Sequence, residues 1–143
     1  LYNGADCILT TTHGEGWGLS ITEAMATKTP VIAPDNTSLT EMLADGRGRL
    51  VPSGDNPSAH IVLLNDLERI RPLMNVERAA DALQEVMNGK LPDIEGAYKW
   101  AKQYSWENIV NNQWLPIFRE AALSAKTAGL NRQQRRALNR KKS

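Results

Sequence analysis

Cysteine is scarce in this sequence, because the 143 residues contain only one, Cys7. A single cysteine cannot close an internal disulfide or supply a metal site by itself, so a disulfide scaffold and a zinc finger are excluded. Such cysteine usage is typical of a reducing compartment, and we expect a cytoplasmic protein. With 41% hydrophobic and 23% charged residues, the chain is predicted to form one globular domain or part of one.

Long hydrophobic runs are missing as well. The most apolar run, Ile61–Leu64, is far shorter than the ~20 residues needed to cross a bilayer, so we expect no transmembrane span. The chain starts with Leu1 and has no charged leader followed by an apolar segment. We therefore expect no signal peptide, and a chain that is cut from a longer polypeptide.

Acidic residues are absent from the end of the chain. The segment Leu130–Ser143 carries six of the basic side chains, so the chain before it has more acidic than basic side chains. We predict a domain over residues 1–128 and a basic tail over residues 129–143. The tail is expected to be a solvated, partly helical extension, and contact with nucleic acid or another anionic surface is the alternative.

The stretch from Leu1 to Ser53 alternates between two kinds of pattern. Short apolar runs bounded by turn residues predict strands, and stretches of helix formers predict helices between them. Ser20 precedes Glu23 by three positions, a spacing that predicts a capping box at the start of the first helix. The alternation indicates an α/β fold with a Rossmann-like parallel sheet and flanking helices. The predicted strands are Asp6–Thr10, Pro30–Pro34 and Gly48–Pro52, and the predicted helices are Ser20–Lys28 and Thr40–Ala44.

Beyond Ser53 the pattern is weaker. We predict a strand over His60–Asn65, an irregular or extended return over Glu68–Leu73, and a helix over Val76–Met87 that Asn75 caps and Gly89 ends. Its inward residues should be Ala79, Leu83, Val86 and Met87. A long helical region is predicted over Ile94–Ala128, with a break near Tyr104–Glu107 where Ser105 caps the next helix. Three tryptophans of this region are expected to form a packing face: Trp100, Trp106 and Trp114.

A glycine-rich loop follows the first predicted strand and leads into the first predicted helix. Gly14, Gly16 and Gly18 let the backbone bend tightly and approach a ligand closely. At a helix start, unpaired backbone N–H groups and the positive end of the helix dipole converge, which predicts an anion site. The spacing fits neither the P-loop nor the dinucleotide fingerprint. The loop is therefore predicted to hold a phosphate or diphosphate in another way.

Two acidic residues, Glu15 and Glu23, flank this predicted anion site and lie eight positions apart. The acid and base of a glycosidase face each other across roughly 5–9.5 Å, whereas eight helical residues rise ~12 Å, so we reject that pairing. Carboxylates at the two sides of a diphosphate can accept hydrogen bonds from a sugar and from a ribose. The pattern favours a nucleotide-sugar as the ligand. The simpler interpretation is a loop carboxylate and a capping carboxylate.

The run from Glu15 to Ala26, EGWGLSITEAMA, followed by Pro30-Val-Ile-Ala, resembles the E-x7-E signature of retaining glycosyltransferases of the family 4 kind. Resemblance is clear from Tyr2 to about Ser53, and looser at Ser105–Asn108. It implies the C-terminal donor-binding part of a GT-B enzyme, with two Rossmann-like domains facing across a cleft. Lys28-Thr29 stands where the family commonly has a glycine-containing dipeptide before Pro-Val-Ile, which should alter the helix end and not the site.

The resemblance also implies roles for individual residues. Glu15 would be the catalytic-site residue that bonds hydroxyls of the transferred sugar, and Glu23 would hold the ribose. The backbone of Gly16–Leu19 would face the sugar and diphosphate, and the helix from Ser20 would stabilise the leaving phosphate. The substrate-binding set that we predict is His13, Gly14, Gly16, Trp17, Gly18, Leu19, Ser20, Thr22 and Glu23.

No metal and no cofactor are implied beyond the donor substrate, for example a GDP- or UDP-hexose. In relatives, the Arg and Lys that clamp the donor phosphates lie upstream of the position matching Leu1. A missing N-terminal domain is expected to select the acceptor, which the sequence does not identify, and this chain alone should be catalytically incomplete. Two alternatives are a non-enzymatic nucleotide- or nucleic-acid-binding module that uses the basic tail, and a nucleotide-sugar epimerase of related fold.

Overall fold

A computed structural model describes residues 1–127 of the chain. It divides into two compact units, Leu1–Lys102 and a second unit that begins at Gln103. The predicted boundary between domain and tail at residues 128–129, and the tail itself, lie outside the described residues. None of the helices in the described part is both long enough and apolar enough to cross a membrane.

The first unit is built on a three-stranded parallel sheet. Its strands are β1 (Ile8–Leu9), β2 (Val31–Pro34) and β3 (Arg49–Val51), and they lie in the order β1-β2-β3. Ile8 pairs with Val31, and Ile32 pairs with Arg49. All four residues of β2 are buried, as the apolar run between two prolines predicted. The predicted α/β fold with a parallel sheet is confirmed.

Helices cover both faces of this sheet. They are α1 (Leu19–Ala26), α2 (Thr37–Met42), α3 (Val76–Met87) and α4 (Ile94–Lys102). Val31 and Ala33 of β2 pack in one cluster with residues of α1, α2 and α4. Ile32 points the other way and packs with Val51 and with residues of α3. Successive side chains of a strand point to opposite faces, so this one short strand contributes to both layers of the core.

Helix α1 begins differently from the prediction. Gly18, and not Ser20, is the N-cap residue, and it adopts a left-handed conformation with φ 65°. No side chain caps this helix, so the predicted capping box of Ser20 and Glu23 is wrong. A glycine reaches φ > 0 without the steric cost that a Cβ brings, and the turn can therefore form without a side-chain cap. The helix also ends at Ala26, before Lys28, whose φ of 60° stops it.

The segment after β3 forms an antiparallel hairpin. Strand β4 (His60–Leu63) pairs with β5 (Arg69–Pro72), so the predicted irregular return is a regular strand. Leu67 and Glu68 have positive φ in the connection. The alternation Arg69-Ile70-Arg71 carries charges on one face and an exposed Ile70 on the other, which weakened the strand signal in the sequence.

Helix α3 follows the hairpin and matches its predicted bounds. The side chain of Asn75 accepts a hydrogen bond from the Arg78 amide at 3.0 Å, which confirms the predicted cap. Ala79 and Val86 are buried, but Met87 is 73% exposed, so its predicted inward position is wrong. Gly89 has φ 83° just beyond the helix and ends it, as predicted.

The second unit is helical over its described residues. Helix α5 (Trp106–Ile109) continues through a π turn (Val110–Trp114) into α6 (Leu115–Thr127). The Ser105 side chain accepts from the Asn108 amide at 3.3 Å, which confirms the second predicted cap. Trp114 stacks on Phe118 with ring centroids 5.6 Å apart, yet both are about half exposed. Trp106 is 81% exposed, so the described residues do not provide the packing face predicted for it.

Candidate functional site

The glycine loop lies at the carboxyl end of β1. It runs from residue 10 to Gly18, where α1 begins, so it leaves the sheet at the edge where open α/β sheets bind their ligands. The next strand of the sheet, β2, ends at the same edge and leads through Asn36 into α2. The two connections that follow β1 and β2 are therefore neighbours in space, although α1 and β2 separate them in sequence.

Several amide groups of the loop and of the first turn of α1 have no acceptor. Within residues 1–127, no hydrogen bond is formed by the backbone N–H of Gly16, Gly18, Leu19 or Ser20. The first helical N–H groups have no intrahelical partner by construction. Leu19 and Ser20 are exposed, and Leu19 is 70% accessible. Gly16 is exposed as well, whereas Gly18 is buried. Donors without an acceptor thus lie at the positive end of the helix dipole, which suits an anion.

Two residues of α2 bind the backbone of Glu15, and a residue of the glycine loop binds its side chain. Its amide donates to Oγ1 of Thr37 at 3.0 Å, and its carbonyl accepts from Oγ of Ser38 at 3.0 Å. Oγ1 of Thr12 donates to the Glu15 carboxylate at 3.0 Å. The carboxylate is exposed and keeps further acceptor positions for a ligand.

Glu23 lies one turn into α1 and contacts the N-terminal turn of the chain. The hydroxyl of Tyr2 donates to Oε2 of Glu23 at 2.8 Å. This hydrogen bond, followed by burial and by the negative charge of Glu23, raises the pKa of Tyr2 above its ordinary value. The two acids thus have different neighbours: Glu15 is bound to α2, and Glu23 is bound to Tyr2.

The ring of Trp17 packs inward, on the protein. It stacks on Trp100 of α4 with centroids 5.8 Å apart and an angle of 15° between the planes. The Arg47 guanidinium lies 5.4 Å from the Trp100 centroid. Both tryptophans are half-buried against the cluster formed by α1, α2 and α4. Of the three tryptophans predicted to form a packing face, Trp100 therefore does pack.

The remaining predicted residues differ in their surroundings. Nδ1 of His13 is buried and has no hydrogen-bond partner among the described residues. The Thr22 hydroxyl turns back to the Gly18 carbonyl at 3.5 Å, a weak contact within the helix. A Cβ added to Gly14 would lie 3.1 Å from Nη1 of Arg71 and 3.1 Å from Cγ2 of Thr37, so a larger residue here would crowd both side chains.

Arg71 is the most informative residue that the sequence did not indicate. It comes from strand β5, far from the glycine loop in sequence, and brings a guanidinium against that loop. Its Nε donates to Asp66 at 2.5 Å, and this contact lowers the pKa of Asp66 below its ordinary value. Tyr2, Thr37 and Ser38 were missed as well. No local spacing signals any of them, because each reaches the site through tertiary contacts.

Other features of the first unit lie elsewhere. One cavity of about 460 Å³ is lined by β3 and α3, and another of about 650 Å³ lies beside Cys7 and Lys28. Neither is lined by a residue of the glycine loop. Burial, and secondarily Asp6, raises the pKa of the Cys7 thiol, which is consistent with its predicted role as a small hydrophobic residue. No group of three His, Cys, Asp or Glu that could bind a metal occurs in residues 1–127.

Comparison with known proteins identifies similar sequences. The family described as Glycosyl transferases group 1 matches residues 1–83, more than half of the chain. The D-inositol 3-phosphate glycosyltransferase of Corynebacterium urealyticum is 30% identical over 122 residues, which cover 83% of this chain and 24% of that protein. The protein of the same name from Acidothermus cellulolyticus is 26% identical over 131 residues, which cover 92% of this chain and 25% of that protein.

A third similar protein is the phosphatidyl-myo-inositol mannosyltransferase of Mycobacterium leprae, 44% identical over 63 residues, which cover 41% of this chain and 17% of that protein. The chain spans about a quarter of the length of the first curated relatives that it matches. The matched family covers the sheet, the glycine loop and the hairpin. On this evidence of shared sequence, the chain belongs to the group 1 family of glycosyl transferases.

Proposed function

We propose that this chain is the donor-binding part of a retaining glycosyltransferase that transfers a hexose from a nucleotide-sugar to an acceptor. The observation that carries the proposal is the set of amides without an acceptor, Gly16, Gly18, Leu19 and Ser20, between two exposed carboxylates. Amides at a helix start suit the diphosphate. Carboxylates at either side suit the hydroxyl groups of a sugar and a ribose, because an ionised carboxylate only accepts hydrogen bonds.

In this proposal, Glu15 accepts hydrogen bonds from hydroxyls of the hexose, and Glu23 accepts them from the ribose. Arg71 lies against Gly14 and supplies a cation near the glycine loop. Asp66 holds the Nε edge of its guanidinium, and Nη1 remains directed at the loop. A planar guanidinium of this kind is well suited to a phosphate oxygen.

The chemical role of the loop is to stabilise a leaving group. When the bond between the anomeric carbon and the diphosphate oxygen breaks, the electron pair of that bond stays on the diphosphate, and negative charge develops there. Amide dipoles that are already oriented stabilise this charge without reorganising during the reaction. The anomeric carbon then bonds to the oxygen of an acceptor hydroxyl with its configuration retained, and the proton of that hydroxyl passes to the departing diphosphate. The residues that select the acceptor are expected in the N-terminal domain of the complete enzyme.

The test is a binding titration of the purified chain with UDP-glucose, GDP-mannose, UDP and GDP as probes. We expect at least one nucleotide-sugar to bind, and Glu23→Gln to weaken binding by about five- to tenfold, because a charged acceptor for the ribose is lost. Glu41→Gln is the matched control, since Glu41 is an exposed acid on α2. Its affinity should stay within about twofold of the unchanged chain.

A second arm separates the alternative function. Deletion of residues 130–143 should leave nucleotide-sugar binding unchanged. Binding of a short duplex DNA or single-stranded RNA that weakens steeply with salt and disappears with the tail would instead support the nucleic-acid-binding module. Failure of all four nucleotide probes to bind would overturn the proposed donor site.

A further inference from the structure

The peptide groups on both sides of Glu15 are bound by two consecutive hydroxyl side chains. Thr37 accepts from the Glu15 amide and Ser38 donates to the Glu15 carbonyl, both at 3.0 Å. The Thr37 hydroxyl in turn donates to Oδ1 of Asn36 at 3.1 Å. Its proton is thereby directed to Asn36, which leaves the oxygen lone pairs for the Glu15 N–H. Asn36 is 9% exposed, so the hydrogen bonds from Glu15 through Thr37 end on a side chain in the protein interior.

The backbone of Thr37 is strained. Its φ of 48° lies in the left-handed region, which a β-branched residue rarely adopts. A glycine would occupy this position without that cost. The residue nevertheless places its hydroxyl on Glu15 and its methyl group against Gly14. Strain of this kind persists where surrounding contacts over-determine the conformation, and such positions cluster at functional sites.

We propose that Thr37 and Ser38 are positioning residues that hold Glu15 for recognition of the transferred hexose. This inference rests on the proposed function, in which Glu15 contacts the hexose. Without the two hydroxyls, an exposed loop residue would sample several backbone orientations, and its carboxylate would meet the sugar hydroxyls less often. The two hydroxyls therefore contribute to binding of the sugar. The diphosphate is bound by other amides of the loop.

The first measurement is hydrogen exchange of the Glu15 amide in the ligand-free chain, followed by NMR. Thr37→Val keeps the branched shape but removes the acceptor oxygen, so exchange should accelerate by about tenfold. Thr37→Ser keeps the oxygen and should restore slow exchange. Thr40→Val is the matched control, because Thr40 lies on the same helix and donates to Asp35 at 2.7 Å instead. It should leave Glu15 exchange unchanged.

The second measurement compares ligands with and without the sugar. Thr37→Val and Ser38→Ala should each weaken binding of UDP-glucose or GDP-mannose, whichever binds, by about fivefold. Affinity for the matching nucleoside diphosphate should stay within about twofold. If Thr37→Val folds poorly, Ser38→Ala still tests the inference. Ser38 is not among the residues with positive φ, so its replacement adds no backbone strain.

Two outcomes overturn the inference. One is an exchange rate of the Glu15 amide that does not change in Thr37→Val. The other is an equal loss of affinity for the nucleotide-sugar and for the nucleoside diphosphate, which would assign the hydroxyls a structural role only. If the unchanged chain binds none of the probes, the proposed function fails, whereas the exchange experiment still reports independently whether Thr37 holds Glu15.

Discussion

The Tyr2 hydroxyl donates a hydrogen bond of 2.8 Å to the carboxylate of Glu23, across 21 positions of sequence. Because only the protonated phenol can donate this hydrogen bond, and because burial and the charge of Glu23 also disfavour the ionised phenol, the pKa of Tyr2 is raised. By linkage, the stability that this interaction contributes is fully present below the ordinary tyrosine pKa. It is lost as the pH rises through the elevated pKa of Tyr2.

Replacement of Glu23 should therefore change the titration of Tyr2. In Glu23→Gln we expect the Tyr2 pKa to fall toward its ordinary value of about 10, as measured by NMR titration of the labelled tyrosine ring. Glu107→Gln, an exposed acid of α5, serves as the control and should leave Tyr2 unchanged. A Tyr2 titration that is identical in the Glu23 variant would contradict the hydrogen bond.

Gly18 and Gly16 should respond differently to the same substitution. Gly18 has φ 65°, and a Cβ there would lie 3.4 Å from side-chain atoms of Ile21 and Leu39. Gly18→Ala should lower the free energy of unfolding by about 1 kcal/mol, because alanine must adopt a left-handed conformation. Gly16 has open space around its Cβ position, so Gly16→Ala should change stability by less than ~0.5 kcal/mol. Urea unfolding of both variants provides the comparison.

The backbone strain at Thr37 can be measured by comparing the stability of the glycine and alanine variants at this position. Both Thr37→Gly and Thr37→Ala remove the hydroxyl contact with Glu15, and they differ in the cost of φ 48°. We expect Thr37→Gly to be more stable than Thr37→Ala by about 1 kcal/mol. The same pair at Ser38 is the control, where alanine should be at least as stable as glycine. The same order at both positions would argue against strain at Thr37.

The stacked rings of Trp17 and Trp100 tie the glycine loop to α4. A double-mutant cycle with Trp17→Leu and Trp100→Leu should give a coupling of about 0.5–1.5 kcal/mol in the free energy of unfolding. Leu83 packs in the cluster on the other face of the sheet. A second cycle that pairs Trp17→Leu with Leu83→Ala should accordingly be additive within ~0.5 kcal/mol.

The ion pair of Asp66 and Arg71 predicts a dependence on acid pH. Hydrogen bonding to Arg71 lowers the pKa of Asp66 in the folded protein. The stabilising contribution is therefore present above the ordinary carboxyl pKa of about 4, and it is lost as the pH falls through the lowered value. Asp66→Asn should show a weaker loss of hairpin order in acid than the unchanged chain, as followed by amide shifts of Val62 and Ile70. Glu68→Gln, in the same connection, is the control.

Much of the first unit could be predicted from short stretches of sequence, as could the start of the second. The apolar run of β2 is buried on both faces, and Asn75 and Ser105 cap the helices that they precede. These features depend on interactions within a few residues, which local patterns report well. The inward position predicted for Met87 is wrong, because a helical pattern does not show where the core ends. The capping box predicted at Ser20 is wrong, because the left-handed turn at Gly18 starts the helix two residues earlier.

The glycine loop, the helix after it and the two acids around it followed from the sequence itself, since amide exposure at a helix start is a local property. Their roles toward a donor remain predictions. Tertiary structure alone decided what holds them: Thr37 and Ser38 at Glu15, Tyr2 at Glu23, and Arg71 at Gly14. These partners come from distant segments of the chain, which the parallel sheet and the hairpin bring to the loop and to α1. No periodicity in a chain encodes which distant side chain arrives there, because chain crossover and packing determine it.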